Sequence, residues 1–205
     1  MNPFDVTVYH DINQFAGHHP VLDAFMAFIA KDALELYALL FIVAWFAMPK
    51  AEERKRHALV VSFCSGVLAL VINVVISHIW FRPRPFVALP KGSFTQLIPH
   101  PADASFPSDH TSGSFAFASG VAGSQLRWVQ YSFTILAVLT MIARVYVGVH
   151  WPTDVLAGLV VGLVAGRVMR KYERLVRPLT RVALRIFHYG PYSRGAVHAK
   201  SSVAR

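Results

Sequence analysis

Residues 58–81 form an unbroken stretch without Lys, Arg, Asp or Glu, and most of them are apolar. About 20 predominantly apolar residues are enough for an α-helix to cross the hydrocarbon core of a bilayer. A helix that is apolar on all sides is stable only when protein or lipid surrounds it completely. The stretch therefore predicts a membrane-spanning helix.

The composition also favours a membrane protein. Of the 205 residues, 55% are hydrophobic and 15% are charged, whereas soluble domains carry about 25% charged residues. The abundance of large apolar residues excludes a disordered chain. The length fits one domain, and we predict a single membrane domain over residues 1–190 followed by a basic tail over residues 191–205.

Further segments with few charges predict an all-α, polytopic helical bundle with about five spans. The predicted spans are residues 33–49, 58–81, 108–126, 128–147 and 152–170. The third is rich in Gly, Ser and Ala, which let helices approach closely, so we expect it inside the bundle. Residues 3–18 are expected to form an amphipathic helix at the membrane surface. Residues 1–30 contain neither Lys nor Arg, so we expect no signal peptide there.

The formal net charge of +9 arises from 20 Lys and Arg against 11 Asp and Glu. A basic chain often binds nucleic acid or anionic lipid. If the five spans alternate in direction, most basic residues fall on the side that also holds the carboxyl-terminal tail. Because Lys and Arg concentrate on the cytoplasmic side of membrane proteins, we expect the tail in the cytoplasm and the loop over residues 82–107 outside.

Residues 173–187, ERLVRPLTRVALRIF, alternate arginines with apolar side chains. This pattern predicts a basic helix at the membrane surface, and a solvated helix beside the membrane fits it equally well. The segment carries no aromatic side chain between Arg174 and Arg185 that could stack on bases, and it follows a predicted span. A nucleic-acid partner is therefore not expected.

Three unusual motifs fall at one end of the predicted bundle. FRPRPF at residues 81–86 closes the second span, FPSDH at 106–110 opens the third, and ARVYVGVHWPTD at 143–154 connects the fourth to the fifth. The apolar stretches define the spans and the basic residues define the two sides, and together they place all three motifs on the external side. That agreement predicts a shared site.

The residues of this site favour a tetrahedral oxyanion. Ser108 is placed to cap the third span, and Pro152 suits the first turn of the fifth. Two helix amino termini, each with free N–H groups and a positive dipole end, would then face one site. Arg84 and Arg144 add guanidinium groups, which bind phosphate through paired hydrogen bonds. The set predicts a phosphate site.

The same end carries residue types that suit phosphoryl transfer. His150 and Asp154 are four positions apart at the start of a helix, so their side chains can meet. A carboxylate on one ring nitrogen leaves the other nitrogen free to attack phosphorus. His110 is a second imidazole, which could protonate the leaving oxygen. We therefore predict transfer through a phosphohistidine, in which positioning and charge stabilisation supply most of the catalysis.

These motifs resemble those of the type-2 phosphatidic-acid phosphatase superfamily. The residues that carry the resemblance are Arg84-Pro85, PSDH at 107–110, and the spacing Arg144-x5-His150-x3-Asp154. The resemblance implies a helical core shared with acid phosphatases and vanadium haloperoxidases. Within the superfamily the chain resembles in particular the undecaprenyl-diphosphatases of bacitracin resistance, over residues 1–190.

The resemblance implies the same catalytic roles, with His150 as nucleophile, Asp154 as its partner and His110 as acid, and it implies no metal or other cofactor. It also implies that the phosphate is bound by Arg84, Arg144 and the region of Ser108. Three positions depart from the family pattern: Ser77 replaces a lysine, Asp109 a glycine and Ala143 a serine.

These departures leave two roles open. Arg82 is a candidate for the cation that Ser77 does not supply, and an anchor at the lipid headgroups is an equal alternative. Asp109 places a carboxylate beside the anion site, where it could assist with a diphosphate or with the proton on His110. We include both Arg82 and Asp109 among the expected substrate-binding residues.

The function expected from the resemblance is hydrolysis of undecaprenyl diphosphate to undecaprenyl phosphate and phosphate, at the external face of a bacterial cytoplasmic membrane. This reaction recycles the lipid carrier of cell-wall synthesis. Alternatives are a phosphatase for phosphatidate or phosphatidylglycerol phosphate, an anion or lipid transporter, and a lipid-binding module without catalysis. The oligomeric state and the preferred chain length are not predicted.

Several of these side chains also have simpler interpretations. His150 and Asp154 on their own could cap a helix, and with His110 they have the ligand types of a zinc site. The two nearby arginines argue against a dication. Asn73 is expected to form a hydrogen bond between helices, and His100 flanks the site in sequence without an assigned role.

Overall fold

The computed structural model describes residues 2–192, and every regular element in that range is helical. The α-helices are α1 Pro3–Asn13, α2 Pro20–Ala47, α3 Glu53–Ile79, α4 Pro85–Ala88, α5 Asp109–Val121, α6 Arg127–Tyr146, α7 Pro152–Lys171 and α8 Arg177–Ile186. Short 3-10 turns at Glu173–Val176 and Gly190–Tyr192 flank α8. The all-α prediction is confirmed.

Three helices, α3, α6 and α7, are long and apolar enough to cross a membrane. They arise from the apolar stretches that predicted the second, fourth and fifth spans. The chain is an integral membrane protein, as predicted. The other two predicted spans correspond to α2 and α5, which differ in length from the prediction.

Helix α2 begins at Pro20, well before the predicted start at residue 33. The charged residues around Lys31 suggested a helix start there. Instead the helix continues through them, and only Asp32 leaves helical geometry, with φ −102° and ψ 19°. The charges mark a kink inside one long helix.

Helix α5 has 13 residues and ends at Val121, before the predicted end at residue 126. At 1.5 Å per residue it is about 20 Å long, shorter than the hydrocarbon core of about 30 Å. It lies in the centre of the bundle against α3, α6 and α7, and most of its side chains are buried. The expected position inside the bundle is confirmed.

Small residues on both partners let α7 approach α5 closely. A Cβ atom at Gly158 would lie 2.9 Å from the carbonyl oxygen of Ser108, and one at Gly162 would lie 2.7 Å from Cβ of Phe115. Both distances are far inside normal van der Waals contact, so a side chain at either position would force the helices apart. The glycines of α7 therefore set the separation of the two helices that begin at the predicted site.

Helix α1 packs against α6 and α7, so the prediction of an amphipathic surface helix is incomplete. Asp5, Tyr9 and Asn13 are all buried. The Nδ2 amide of Asn13 donates to the carbonyl oxygens of Thr95 and Tyr146, at 2.8 Å each. These polar contacts fix α1 over the end of the bundle where the motifs lie.

Helix α8 is amphipathic, as the sequence predicted for the basic segment. Thr180 and Leu184 are buried against the bundle, while Leu179, Val182 and Ile186 expose apolar side chains on the other side. Nearly all of the predicted tail over residues 191–205 lies outside the described residues.

Candidate active site

Three chain segments meet at one end of the bundle: the segment after α3 and the amino termini of α5 and α7. The backbone N–H of Ser108, just before α5, donates to the carbonyl of Asp154 in the first turn of α7 (3.1 Å). The indole Nε1 of Trp151, just before α7, donates to the carbonyl of Pro83 after α3 (2.9 Å). The three sequence motifs therefore converge as predicted.

His150 lies at the centre of this convergence and is only 2% exposed. Its Nε2 atom is 3.1 Å from Nη1 of Arg84. Since a guanidinium can only donate, Nε2 accepts this hydrogen bond and carries no proton. Nδ1 lies 3.5 Å from Oδ2 of Asp154, which places the ring proton on the side of the carboxylate. The tautomer that results keeps a lone pair on Nε2, and this lone pair can attack once Arg84 turns its hydrogen bond to a phosphate oxygen.

Burial holds the pKa of His150 well below its usual range, and the positive charges of Arg144 and Arg84 lower it further. The cause is physical: a low-dielectric position and nearby cations both disfavour the charged imidazolium. A neutral imidazole is the form that can act as a nucleophile. The surroundings of His150 therefore favour its reactive form.

The carboxylate of Asp154 is held by one hydrogen bond on each oxygen. Oδ2 accepts a hydrogen bond from the backbone N–H of Trp151 (2.9 Å), and Oδ1 accepts one from Nη1 of Arg82 (2.7 Å). The side chain is fully buried. A buried carboxylate is stable only when its oxygens are paired, and here the pairing also directs Oδ2 toward His150.

The guanidinium of Arg144 has hydrogen-bond donors that lack acceptors. Its guanidinium is buried, and the residue is 2% exposed. Nη1 donates to the carbonyl of Ala30 at the inner side of α2 (3.0 Å), but Nε and Nη2 have no hydrogen-bond partner among residues 2–192. A buried cation with unpaired donors is costly in free energy. An anion bound beside His150 would remove that cost.

The comparisons with known proteins bear directly on this geometry. The sequence model described as the PAP2 superfamily matches residues 57–177, which is more than half of the chain. The chain belongs to the PAP2 superfamily. The match runs from the start of α3 to the start of α8 and contains all three motifs.

Individual members of the superfamily are similar over most of the chain. Undecaprenyl-diphosphatase BcrC of Bacillus subtilis is 37% identical over 180 residues, covering 88% of this chain and 90% of that protein. An undecaprenyl-diphosphatase of Sulfolobus acidocaldarius is 32% identical over 160 residues, covering 78% and 73%. The crystal structure of Aquifex aeolicus LpxE superposes with a TM-score of 0.66 at 26% identity, covering 83% of this chain and 97% of that one.

Arg82 does not take the position expected of a cation that replaces the PAP2 lysine. Its Nη2 donates to Oδ2 of Asp5 (2.6 Å), and its Nη1 donates to Asp154 (2.7 Å) and to the hydroxyl of Thr153 (2.6 Å). Two carboxylates compensate the guanidinium charge, so little of it is left for a phosphate. Direct substrate binding by Arg82 stays a prediction, and from these contacts we propose that the residue supports Asp154.

Asp5 is a site residue that the sequence did not indicate. It is 1% exposed, and besides Arg82 it accepts hydrogen bonds from the backbone N–H and the hydroxyl of Thr153, at 2.8 Å each. The contact joins residues 5 and 153, and no local sequence pattern can predict a pairing between residues so far apart in the chain. Only the packing of α1 on α7 reveals it.

Arg84 lies against His150, as the PAP2 motif implies, but it has other partners too. Nη1 also donates to the carbonyl of Val149 (2.9 Å), Nη2 donates to that of Ala104 (3.2 Å), and Nε donates to Oδ1 of Asp103 (2.8 Å). Asp103 is 60% exposed. The carboxylate of Asp103 occupies a donor that a phosphate oxygen could use, and its exposure lets it move aside.

At the start of α5 the candidate residues have separate environments. Ser108 is the N-cap residue as predicted, but its hydroxyl accepts from Thr111 (3.1 Å) and makes no capping bond. Asp109, which replaces the PAP2 glycine, accepts a hydrogen bond from Nδ2 of Asn73 on α3 (2.7 Å). Asn73 therefore forms a hydrogen bond between helices, as expected. His110 follows in the first turn of α5.

The remaining candidate residues lie at different distances from His150. Ser77, in place of the PAP2 lysine, donates to the carbonyl of Val74 on its own helix (3.0 Å). The ring of His100 lies 6.3 Å from that of His150, so this unassigned histidine belongs to the site. Ala143 is buried. Among residues 2–192 no three His, Cys, Asp or Glu side chains are arranged to hold a metal, so the zinc alternative has no ligand set there.

Proposed function

We propose that this PAP2 protein is a membrane phosphatase that hydrolyses an isoprenoid diphosphate, undecaprenyl diphosphate, to the monophosphate and inorganic phosphate. The observation that carries the proposal is the buried guanidinium of Arg144, whose Nε and Nη2 lack partners within the described residues and whose positive charge acts on the His150 ring. Donors fixed in advance around a developing negative charge are a main source of enzymatic rate. A transporter would need neither this pairing nor a neutral imidazole.

In the first step, Nε2 of His150 attacks the terminal phosphorus of the diphosphate. A P–N bond forms while the bond from that phosphorus to the bridging oxygen breaks, and the lipid monophosphate leaves. His110 donates a proton to the leaving oxygen. Arg84 and Arg144 bind the oxygens of the transferring group, and Asp154 stabilises the proton that remains on Nδ1.

In the second step, water attacks the phosphohistidine. His110, now deprotonated, accepts a proton from this water, the P–N bond breaks, and inorganic phosphate leaves with the new oxygen. His150 returns to its neutral form and His110 to its protonated form. The chain's own side chains account for every proton, and the reaction is proposed to need no metal or other cofactor.

The proposed substrate rests on sequence similarity and on the position of the site. Two relatives similar over most of this chain are named as undecaprenyl-diphosphatases. The candidate site lies at the ends of helices, where a diphosphate can enter while its isoprenoid tail stays in the bilayer. Phosphatidate and phosphatidylglycerol phosphate present a similar headgroup and are the competing substrates.

We further propose that the candidate site faces outward from a bacterial cytoplasmic membrane, with the carboxyl terminus in the cytoplasm. The segment between α2 and α3, the first turn of α3 and the region after α7 lie at the opposite end of the bundle, and together they are rich in Lys and Arg. An excess of these residues marks the cytoplasmic side.

The direct test is phosphate release by the detergent-purified protein with EDTA present, using undecaprenyl diphosphate and phosphatidate in parallel. We expect faster release from the diphosphate, and no turnover by His150→Ala. The Nε2 phosphate should also be trapped as an acid-labile phosphoenzyme in the wild type. Normal release by His150→Ala would refute the phosphohistidine route, and a preference for phosphatidate would refute the assigned substrate.

A further inference from the structure

A crevice opens at the end of the bundle opposite the candidate active site. Its volume is about 860 Å³, and residues from the start of α3, the ends of α5 and α7, and α8 line it. The 20 residues of α7 connect the two ends and span about 30 Å, the thickness of the hydrocarbon core. The crevice and the candidate active site therefore lie at opposite surfaces of the membrane.

The charged lining of this crevice consists of four arginines and three glutamates. The basic side chains are those of Arg54, Arg170, Arg177 and Arg181, and the acidic ones are those of Glu52, Glu53 and Glu173. Glu52 is paired with Lys55 (2.9 Å). Within residues 2–192, none of the four arginines lies within 4.0 Å of a carboxylate oxygen. Because guanidinium groups bind phosphate through paired hydrogen bonds, the lining favours an anionic phosphate group.

Two polar residues that line the crevice also have unused hydrogen-bonding capacity. Arg170 is held by the donation of Nη1 to the carbonyl of Ala122 at the end of α5 (2.7 Å), and His57 is held by a hydrogen bond of Nδ1 to Thr180 on α8 (2.7 Å). The Nε of Arg170 and the Nε2 of His57 are buried without a partner in the described part of the chain. The Nε of Arg170 is a buried donor without an acceptor, which is unfavourable, so a ligand oxygen beside it would be stabilised.

Helix α8 indicates that the crevice lies at the level of the lipid headgroups. Leu175, just before α8, is 78% exposed, and Ile186 at its end is 65% exposed. Exposed apolar side chains beside arginines are typical of a helix lying in a membrane surface. An apolar groove of about 400 Å³ between α2, α3 and the residues Leu179 and Phe187 borders the same region. A headgroup and an acyl chain thus both have space next to this helix.

We propose that the crevice binds the headgroup of an anionic phospholipid from the leaflet opposite the candidate active site. The phosphate lies among Arg170, Arg177 and Arg181, and the acyl chains extend along the apolar side of α8. Basic pockets between membrane helices on the cytoplasmic side are suited to such headgroups. This binding is separate from hydrolysis and does not require it.

The test uses the full chain carrying His150→Ala in detergent, so that turnover does not contribute. Thermal unfolding is measured while phosphatidylglycerol, phosphatidylcholine, glycerol 3-phosphate or inorganic phosphate is added. We expect phosphatidylglycerol to raise Tm saturably at the lowest concentration. Arg181→Gln should weaken its apparent affinity about tenfold. Arg174→Gln is the matched control, because Arg174 is exposed next to the crevice but does not line it.

Each result supports or overturns the proposal. Unaltered affinity in Arg174→Gln and reduced affinity in Arg181→Gln would support a defined headgroup site. Equal losses in both variants would overturn it, because they would show attraction by general surface charge. Equal stabilisation by phosphatidylcholine would overturn the anionic headgroup, and stronger stabilisation by either soluble phosphate would overturn the lipid. Since Arg181 is exposed, an unchanged Tm without lipid shows that the variant is folded.

Discussion

The charge state of the His150 ring decides whether it can act as a nucleophile, because only the neutral imidazole has a free lone pair. Burial and the charges of Arg144 and Arg84 hold its pKa well below the usual range. A lower pKa means that the neutral form persists to lower pH and is lost only when the pH falls through that lowered value. In the free protein we therefore expect the His150 ring to remain neutral below pH of about 6.5. Imidazole nitrogen NMR, with His150→Gln to assign the signal, measures this directly, and a midpoint at or above that value would contradict it.

The role proposed for His110 depends on which oxygen leaves. A lipid monophosphate leaves readily, since its second pKa is about 6, whereas an alcohol is far more basic and needs a proton. We expect His110→Gln to slow hydrolysis of phosphatidate much more than hydrolysis of undecaprenyl diphosphate. Single-turnover rates of phosphoenzyme formation with the two substrates give the ratio, because this step precedes the shared hydrolysis of the phosphohistidine. Equal slowing would show that His110 does not act as the acid for the leaving group.

Asp5 is expected to act through Arg82 and Thr153 on the position of Asp154. Asp5→Asn keeps the shape but removes the charge that pairs with Arg82, so Asp154 and His150 should lose their alignment. We expect kcat to fall between about tenfold and a hundredfold, with little change in KM, because small misplacements of reacting groups cost that much. Steady-state kinetics on the purified variants measure both constants.

The control for this prediction is Asp11→Asn, the same substitution at an exposed position of α1. It should retain the wild-type kcat. If both variants have wild-type activity, Asp5 has no positioning role. If Asp5→Asn only lowers Tm and leaves kcat unchanged, its role is structural.

The sequence could predict that two site residues lie close together in only two cases. Either they are near each other in the chain, or the predicted spans bring them to the same end of the bundle. His150 and Asp154 are four residues apart, and Arg84 and Ser108 lie at the ends of neighbouring apolar stretches. The pairing of Arg82 with Asp5 could not be predicted, because Asp5 lies on α1, which carries no motif. Which charged residues pair in a buried network can be determined only when the packing of the helices is known.

At the scale of helices, the contact between α5 and α7 sets how the two amino termini of the site face each other. We expect Gly162→Ala to destabilise the protein by about 1–3 kcal/mol, because the added methyl would lie 2.7 Å from Cβ of Phe115 and 2.8 Å from the backbone nitrogen of Ala116. Thermal unfolding in detergent should show a lower Tm, and activity should fall with it.

Gly113→Ala is the matched control for this helix contact. A Cβ at Gly113, within α5, meets no atom within 4 Å. Alanine is the better helix former by up to about 1 kcal/mol, so this variant should be as stable as the wild type or more stable. Equal destabilisation by both substitutions would show that the close approach of α7 is not what limits stability.

The helices could be predicted where the apolar stretch is long and uncharged, as in α3. The start of α2 could not, because the charges at Lys31 and Asp32 resemble a helix boundary and in fact lie at a kink. The small residues of α5 indicated an interior helix correctly. The glycines of α7 also let helices approach closely, and they form the other side of this contact. The sequence of one helix alone does not show which helix it packs against.

At the scale of the whole molecule, the net charge of +9 separates into two functions. A few guanidinium groups lie at the candidate active site, and the majority of the basic residues lie at the other end of the bundle. The second group follows the rule for orientation and also lines the proposed lipid crevice. The uneven distribution of charge between the two ends thus supports both the proposed orientation of the protein in the membrane and the proposed binding of anionic lipids at its cytoplasmic surface.

This orientation predicts opposite accessibility for the two ends. In a Cys64→Ser background, Lys91→Cys places a thiol in the exposed loop at the end with the candidate active site, and Ala51→Cys places one between α2 and α3 at the other end. A membrane-impermeant maleimide should label Lys91→Cys in intact cells and Ala51→Cys only after permeabilisation. The reverse pattern would place the candidate active site in the cytoplasm. Labelling of both positions from outside would contradict the membrane crossing of α3, which separates them.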